Sequence, residues 1–267
     1  MHRASVLWLL GYPDRALQRN QKILTLAQKL SHPFSLAHTL SITAGVHQLR
    51  RQGRTTQEQA EALITLCTKQ GFAQWLGPGI VMWGWALAEQ GQGEEGIAQM
   101  HRGLTTHRAT GAEVLRPHFL SLLAGAYGKV GQAEEGLTVL AEALATVDKT
   151  GERFYETELY RLKGTLTLQA KVKTSLGQVE ASQNKSENGN PESEAEECFQ
   201  KAIEIARLQQ AKSWELRAVM SLARLWQQQG KTEEARQMLA EIYGWFTEGF
   251  DTADLQEAKA LLEELGH

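Results

Sequence analysis

One short pattern of small and bulky residues recurs at six places along the chain. Each occurrence has a small residue, a bulky and usually apolar residue four positions later, and a small or apolar residue three beyond that. The small residues are Ala16, Ala60, Gly96, Gly136, Ala195 and Ala235. Offsets of zero, four and seven lie on one face of an α-helix, so each occurrence predicts a helix with one narrow apolar side.

The spacing of these small residues predicts a repeat array. The intervals between them are 44, 36, 40, 59 and 40 residues, and a period near 40 is typical of stacked helical repeats. A residue that favours a break in the helix precedes each small position, so each repeat is expected to be an antiparallel pair of helices. These breaks are at Gly11, Gly53, Gly91, Gly131, Pro191 and Gly230.

A polar stretch interrupts the fifth repeat. Residues 173–193 are rich in Ser, Asn, Gly, Lys and Glu and have few large apolar side chains, a composition typical of a flexible loop. Because the repeat pattern resumes afterwards, an insertion within repeat five is favoured over a linker between two domains. Residues 1–172 are then expected to hold repeats one to five, and residues 194–250 the end of repeat five and repeat six.

The two ends of the array are predicted to differ. Residues 251–267 carry an apolar stripe at Leu255, Ala258, Leu262 and Leu265, which predicts a C-terminal capping helix. Few residues precede Gly11, so the first repeat is expected to be truncated and the apolar run 6–10 to have no helix covering it. Since terminal repeats normally carry a polar outer face, we expect either a C-terminal piece of a longer protein or self-association through this N-terminal end.

Particular stretches of the sequence resemble known proteins. The residues GQAEEGLTVLAEAL at 131–144 resemble the centre of the tetratricopeptide repeat (TPR) consensus. The resemblance implies an all-α fold, a right-handed superhelical α-solenoid of about six TPR-like antiparallel helix pairs plus a C-terminal capping helix.

A wider resemblance rests on four segments, LWLLGYPDRALQRNQKILTLAQKLSHPFSLA, GWALAEQGQGEEGIAQM, ETELYRLKG and IYGWFTEGFDTADLQEAKALLEEL. They are similar to the C-terminal helical-repeat region of large bacterial signalling proteins that contain a class III adenylate cyclase or a signal-transduction ATPase. This similarity implies a sensor or partner-docking role, and it carries over neither the cyclase nor the ATPase activity because their motifs have no counterpart here.

Composition narrows the classes of function. The chain is 42% hydrophobic and 22% charged with a net charge of −3, so it lacks the basic excess of a nucleic-acid binder. It has neither a membrane-spanning apolar run nor a signal-peptide pattern, which predicts a cytoplasmic location. Cys67 and Cys198 are far apart and suit neither a disulfide framework nor a metal site. Neither a metal nor a cofactor is expected.

No catalytic constellation accompanies the repeats. Gly230-Lys231-Thr232 resembles the end of a phosphate-binding loop, but the earlier glycine that this loop requires would fall at Leu225, within a helix. The sequence also lacks a nucleophile elbow, a dinucleotide-binding glycine pattern and a paired-cysteine zinc signature. The chain is therefore expected not to be an enzyme.

TPR geometry predicts which residues face the concave surface. The first helix of each pair lines that surface, and counting back from each small residue, or from Gly53 in the second unit, gives fourteen candidates. They are His47, Arg50, Arg51, Trp85, Glu89, His118, Ser121, Lys129, Glu158, Arg161, Arg217, Arg224, Gln227 and Gln228. For Trp85, half-buried packing is the alternative. The set is rich in arginine, whose planar guanidinium suits a carboxylate, so an acidic peptide or a peptide C-terminus is the sharpest hypothesis. A solvated, weakly basic face is the alternative.

These observations favour a non-catalytic scaffold that binds a protein, a peptide or a small effector and regulates a neighbouring domain. The alternative is a structural or dimerising fragment of an ATPase or adenylate cyclase that has no ligand of its own. An adjacent nucleotide-binding ATPase or cyclase domain is an expected partner in either case. Neither nucleic acid nor a membrane is expected as a partner.

Overall fold

The protein is all-helical throughout the part that its structure, a computed structural model, describes, residues 3–177 and 190–266. The thirteen helices there are α1 (Arg3–Leu9), α2 (Pro13–Lys29), α3 (Pro33–Leu49), α4 (Gly53–Gln70), α5 (Ala73–Glu89), α6 (Gly93–Ala109), α7 (Arg116–Lys129), α8 (Ala133–Thr150), α9 (Glu156–Gly177), α10 (Pro191–Leu208), α11 (Lys212–Gln228), α12 (Thr232–Tyr243) and α13 (Ala253–Leu265). The predicted all-α class is confirmed. The right-handed sense and the number of repeats stay predictions.

The helices form an inner and an outer layer. Each odd-numbered helix from α1 to α11 packs against the next odd-numbered helix, and α1 also packs against α11. The even-numbered helices pack only against their neighbours in sequence and lie outside. The inner layer is therefore a closed ring of six helices, with α13 packed against α11 and α12.

Five turns that join the two helices of a pair share one backbone conformation. In each turn a residue with positive φ, between +59° and +86°, ends the preceding helix, and the next N–H bonds to a carbonyl five residues earlier. The residues with positive φ are Gly11, Arg51, Gly91, Gly131 and Gly230. This is the Schellman motif, which satisfies carbonyl groups at a helix end. The four glycine breaks predicted at these turns are confirmed.

The second repeat shows that one small residue was assigned wrongly. Helix α4 begins at Gly53, two residues after the left-handed Arg51. Thr56 is fully buried in the first turn of α4, and its N–H bonds to the carbonyl four residues earlier, as that of Gly96 does in α6. Thr56 therefore takes the place predicted for Ala60. With this change the intervals of 44 and 36 residues both become 40.

The polar stretch in the fifth repeat is shorter than predicted. Helix α9 continues to Gly177, and α10 begins at Pro191, a residue that suits the first helical position. The side chain of Asn190 caps α10 by accepting a hydrogen bond from the N–H of Glu192 at 3.2 Å. Residues 173–177 and 191–193 are helical rather than loop, and the rest of the predicted insertion, 178–189, lies outside the described residues. The proposed domain boundaries stay predictions.

The two ends of the array pack against each other, so the expectation of an uncovered N-terminal run is wrong. The rings of Trp8 in α1 and Trp214 in α11 form an edge-to-face contact with centroids 4.8 Å apart. The Ser213 hydroxyl donates to the Trp8 carbonyl at 2.5 Å. Trp8 and Leu9 are buried, whereas Val6 is exposed. The sequence pattern could not reveal this cover, because it comes from helices more than 200 residues away.

The segment between α12 and α13 caps the start of α2. The Glu248 carboxylate accepts hydrogen bonds from the N–H groups of Asp14 and Arg15 at 3.0 and 2.9 Å. First-turn N–H groups have no partner within their own helix, and negative charge there is favourable. The Asp14 carboxylate in turn accepts from the N–H of Gly249 at 2.9 Å. The C-terminal segment thus supplies a cap that α2 lacks in its own sequence.

Replacing Gly11 with alanine is expected to weaken the closure of the ring. Gly11 has a φ of +85°, and a Cβ atom there would lie 2.5 Å from Cζ3 of Trp245. Gly91 has nearly the same φ, +86°, but open space at the Cβ position. We expect Gly11→Ala to lower the free energy of unfolding by about 1–3 kcal/mol more than Gly91→Ala does in urea denaturation. Equal losses would mean that Trp245 does not confine Gly11.

Candidate functional site

The ring of inner helices encloses two neighbouring cavities. The first, called the polar cavity, has a volume of about 290 Å³ and lies at the ends of α3 and α5 and along α7, α9, α11 and α13. The second, called the apolar chamber, has a volume of about 560 Å³ and lies between α1, α3, the first halves of α5 and α7, and the turns before α7 and α9.

His118 lines both cavities and forms part of the wall between them. Its Nε2 lies 3.1 Å from Oε1 of Gln48, so the neutral imidazole donates a hydrogen bond across the ring interior. The His118 ring stacks on Tyr155 with centroids 4.0 Å apart and an interplanar angle of 3°. Burial lowers the pKa of His118 to about 3 and raises that of Tyr155. Both side chains are therefore uncharged at neutral pH.

The structure brings ten of the fourteen predicted residues together around the polar cavity. They are Arg51, Trp85, Glu89, His118, Ser121, Lys129, Glu158, Arg161, Arg217 and Arg224. Trp85 is buried, yet it lines the cavity and is more than core packing. His47, Arg50, Gln227 and Gln228 are not part of this lining.

Two of the misplaced residues have structural contacts instead. Arg50 is buried and donates a hydrogen bond to the carbonyl of Pro13 at 2.7 Å, which ties α3 to the start of α2. Nδ1 of His47 lies 2.6 Å from Oε1 of Gln52 within the turn. The error comes from counting back from Gly53. Counting eight residues back from the small residue of the second repeat, once correctly assigned, gives Gln48, which does line the cavity.

Each basic side chain of the polar cavity is paired with a carboxylate of the same chain. The pairs are Arg51 with Asp254 and Glu257, Arg217 with Asp254, Arg224 with Glu257, Arg161 with Glu158, and Lys129 with Glu89, at N–O distances between 2.6 and 3.5 Å. Burial lowers the pKa of Arg51 and of Arg161, but the adjacent carboxylates raise both above the ordinary value. Five cations face four anions in this lining, so the cavity is nearly charge-balanced instead of strongly basic.

Arg217 connects the polar cavity to the closure of the ring. Its guanidinium lies over the rings of Trp8 and Trp214, with centroid distances of 4.9 and 5.0 Å. It also donates hydrogen bonds to the Leu49 carbonyl at 2.6 Å and to the Asp254 carboxylate at 2.9 Å. This one side chain thus contacts α1, α3, α11 and α13. It is part of the cavity wall and also part of the contact that closes the ring.

The apolar chamber has a different chemical character. Its lining includes the rings of Trp75, Phe119, Phe154 and Tyr155, and Glu152 is the one carboxylate among the described lining residues. Sequence reasoning missed this chamber, because several of its residues come from turns between repeats and not from repeat positions on the inner helices.

The described residues contain neither a candidate metal cluster nor a membrane-spanning helix. There is no group of three or more His, Cys, Asp or Glu side chains in that part of the chain that could hold a metal ion. Within the same ranges, every helix is too short or too polar to cross a bilayer. Cys67 and Cys198 are both unpaired and buried, and burial raises the pKa of Cys67 to about 11.

Comparison with known proteins identifies the fold. No family model and no curated protein matches the chain. A Rap protein complexed with Competence and Sporulation Factor matches with a TM-score of 0.62 and 11% identity, over 99% of this chain and 72% of that one. TPR-like repeats of a Podosopora anserina putative kinesin light chain match with a TM-score of 0.52 and 18% identity, over 80% and 95% of the two chains. The chain has the tetratricopeptide-repeat fold.

A third match has the TPR fold within a larger protein. The Signal Transduction ATPase with Numerous Domains protein PH0952 from Pyrococcus horikoshii, which has a TPR sensor, matches with a TM-score of 0.57 and 15% identity. The match covers 99% of this chain and 37% of that one. The predicted TPR resemblance is confirmed as a fold. The further resemblance to adenylate cyclase proteins stays a prediction.

Some residues that line the polar cavity cannot be found by counting from the repeat positions. Asp254 and Glu257 belong to α13, which is a single helix after the last pair, so no count from a repeat position reaches them. Trp214 lies at the start of α11, and its ring also lines the polar cavity. The signal that could have found the two acids is their spacing of three on a helix, which places them on one face.

The buried His118 predicts a pH dependence of stability. The folded pKa of about 3 is far below the value of about 6.5 expected in the unfolded chain. As pH falls, the unfolded state binds the proton first, so this contribution to stability is present above about pH 6.5 and is lost towards pH 3. Between about pH 7 and 5 we expect the wild type to lose about 2 kcal/mol more than His118→Gln in urea denaturation. The glutamine side chain retains an N–H donor for Gln48. Equal losses of unfolding free energy in the wild type and the variant would contradict a neutral, buried imidazole.

Proposed function

We propose that the chain is a non-catalytic TPR scaffold that binds a protein or peptide at the polar cavity. The observation that carries this proposal is a ring interior in which Arg51, Arg161, Arg217 and Arg224 converge on one cavity. Guanidinium groups form paired, charge-assisted hydrogen bonds with carboxylates. The two serines of the lining donate to backbone carbonyls, Ser121 to that of His118 at 2.6 Å and Ser221 to that of Arg217 at 3.1 Å, and not to a general base, which supports binding over catalysis.

Glu257 is the group that an acidic ligand would displace. Its side chain is 39% exposed and lies 2.7 Å from Arg51 and 3.5 Å from Arg224. Ion pairs with this exposure contribute little to stability, so exchanging Glu257 for a ligand carboxylate costs little. Asp254 is buried and keeps its bonds to Arg51 and Arg217, so the ring need not open. An acidic peptide side chain or a peptide C-terminus has the required chemistry.

The similar structures support a sensor or regulatory role in a bacterial signalling protein. One is described as complexed with Competence and Sporulation Factor, and another has a TPR sensor in a signal-transduction ATPase. A cytoplasmic location belongs to the same proposal. The charge balance of the cavity and the net charge of −3 argue against nucleic acid as the ligand.

An exposed apolar patch favours a second candidate function. Leu26, Leu30 and Phe34 lie close together in sequence at the turn between α2 and α3 and are 57%, 61% and 40% exposed. Exposed apolar groups of this kind are typical of contacts with another domain or chain. On this alternative the chain is a structural or dimerising fragment, packed against an adjacent ATPase or cyclase domain, without a ligand of its own.

Charge substitutions at the polar cavity are expected to change peptide binding in opposite directions. Arg224→Glu should weaken the binding of acidic peptides by about tenfold or more, because a hydrogen bond to a charged group contributes about 1.5–3 kcal/mol. Glu257→Gln should strengthen binding, because it frees Arg224. A panel of fluorescent peptides, each prepared as the free acid and as the C-terminal amide, would be tested by fluorescence anisotropy.

The matched control for this experiment is Arg236→Glu. Arg236 is similarly exposed, 45% against 47% for Arg224, but lies on the outer helix α12. It should leave peptide affinity unchanged, and circular dichroism should be the same for all variants. Failure of every peptide to bind the wild type, or the same affinity for all variants, would refute the proposal. A dimer in sedimentation that Leu26→Glu disrupts would then support the structural alternative.

A further inference from the structure

The apolar chamber has the size of a small-ligand site. Its volume of about 560 Å³ falls within the range of roughly 300–1,000 Å³ found for small-molecule pockets. Its walls come from four inner helices, His107 of the outer helix α6, and two turns. It is lined by different residues from the polar cavity apart from the dividing His118.

Aromatic rings form much of the chamber wall. Trp75 stacks on His38 with centroids 4.6 Å apart, and Phe154 meets Tyr155 edge to face at 4.7 Å. Phe119 is fully buried at the start of α7. The faces of such rings carry negative electrostatic potential, which attracts a cation. A neutral apolar group would also fit, so the rings alone do not decide the charge of the ligand.

Glu152 decides that charge. It is the one carboxylate in the described lining, which has neither lysine nor arginine and whose basic residues are three histidines, His38, His107 and His118. Both of its carboxylate oxygens accept from the N–H of Leu115 at 3.1 Å, which fixes the carboxylate at the chamber wall. The flanking Arg153 pairs with Glu156 at 2.6 Å instead. Burial raises the pKa of Glu152, and the hydrogen bond from the Leu115 N–H partly offsets this effect.

We propose that the apolar chamber binds an organic cation with an apolar body, such as an alkylammonium or arylammonium group. The ammonium lies at Glu152, and the apolar body lies among Trp75, Phe119 and Phe154. Glu152 is partly buried and has no basic partner in the described lining, which favours a ligand that brings the opposite charge. This site is separate from the polar cavity and has the opposite charge preference, so it does not depend on the proposed peptide binding.

Two sources share this ligand chemistry, a free amine and the N-terminal amine of a peptide with an apolar first residue. Isothermal titration calorimetry with 2-phenylethylamine tests the first. A tripeptide that begins with phenylalanine, with its N-terminus free or acetylated, tests the second. 2-Phenylethanol and 3-phenylpropionate are the neutral and anionic probes of similar shape. We expect the ammonium probes to bind at least about tenfold more tightly than the other two probes.

Glu152→Gln tests the role of the carboxylate. Glutamine retains an oxygen that can accept from the Leu115 N–H, so the turn before α7 should be preserved. We expect this substitution to weaken binding of 2-phenylethylamine by about tenfold or more. The control is Glu113→Gln, which alters an exposed carboxylate in the turn before α7 that pairs with Lys149 outside the chamber lining. The control should bind the amine as the wild type does.

Gly45→Leu tests whether the amine binds inside the apolar chamber. Gly45 lines the chamber from within α3, and a Cβ atom there would meet no other atom within 4 Å. Leucine also favours a helix more than glycine does, so this substitution should fill the chamber without unfolding the chain. We expect it to abolish amine binding and to leave acidic-peptide binding at the polar cavity unchanged. Unchanged amine affinity in this variant, equal affinity for the anionic probe, or no binding of any ammonium probe by the wild type would overturn the proposal.

Discussion

The contact between Arg217 and its four neighbours joins the two ends of the array into a ring. The guanidinium lies over the rings of Trp8 and Trp214 and bonds to the Leu49 carbonyl and the Asp254 carboxylate. A buried charge is costly unless its donors and its charge are satisfied, and here they are. Both cavities lie within the closed ring: the polar cavity has walls from α3 and α11, and the apolar chamber has walls from α1 and α3.

What the sequence predicted well depends on contacts between nearby residues. The turn at Gly91, for example, follows from one glycine and the helix on each side of it. Ala195 is fully buried, and its burial could be predicted from the spacing of small and bulky residues within a single helix. These features repeat, so the array and the side of each helix that faces inward could be predicted. The same rules placed Arg161 and Arg224 at the cavity.

What the sequence did not predict depends on contacts across the ring. Trp8 and Trp214 are about two hundred residues apart, and no periodic rule connects them. No periodic rule predicts the position of Asp254 either. Asp254 pairs with Arg51 and Arg217, which the repeat pattern had predicted as free to bind a ligand. Thr56 was missed because the pattern sought alanine or glycine at this position. Its side chain is fully buried, as those of the other small residues are. The position of the concave surface can therefore be predicted from the repeats alone. Its charge can be predicted only from the whole fold.

The cap that Glu248 places on α2 has a consequence for how the chain unfolds. In a linear repeat array each unit contacts only its neighbours, and the terminal units fray first. Here the last segment stabilises the first outer helix, so fraying at one end removes support from the other. The ring is formed only when contacts between the most distant parts of the sequence are made, which slows folding. Denaturation should accordingly be a single cooperative event that spans the whole ring.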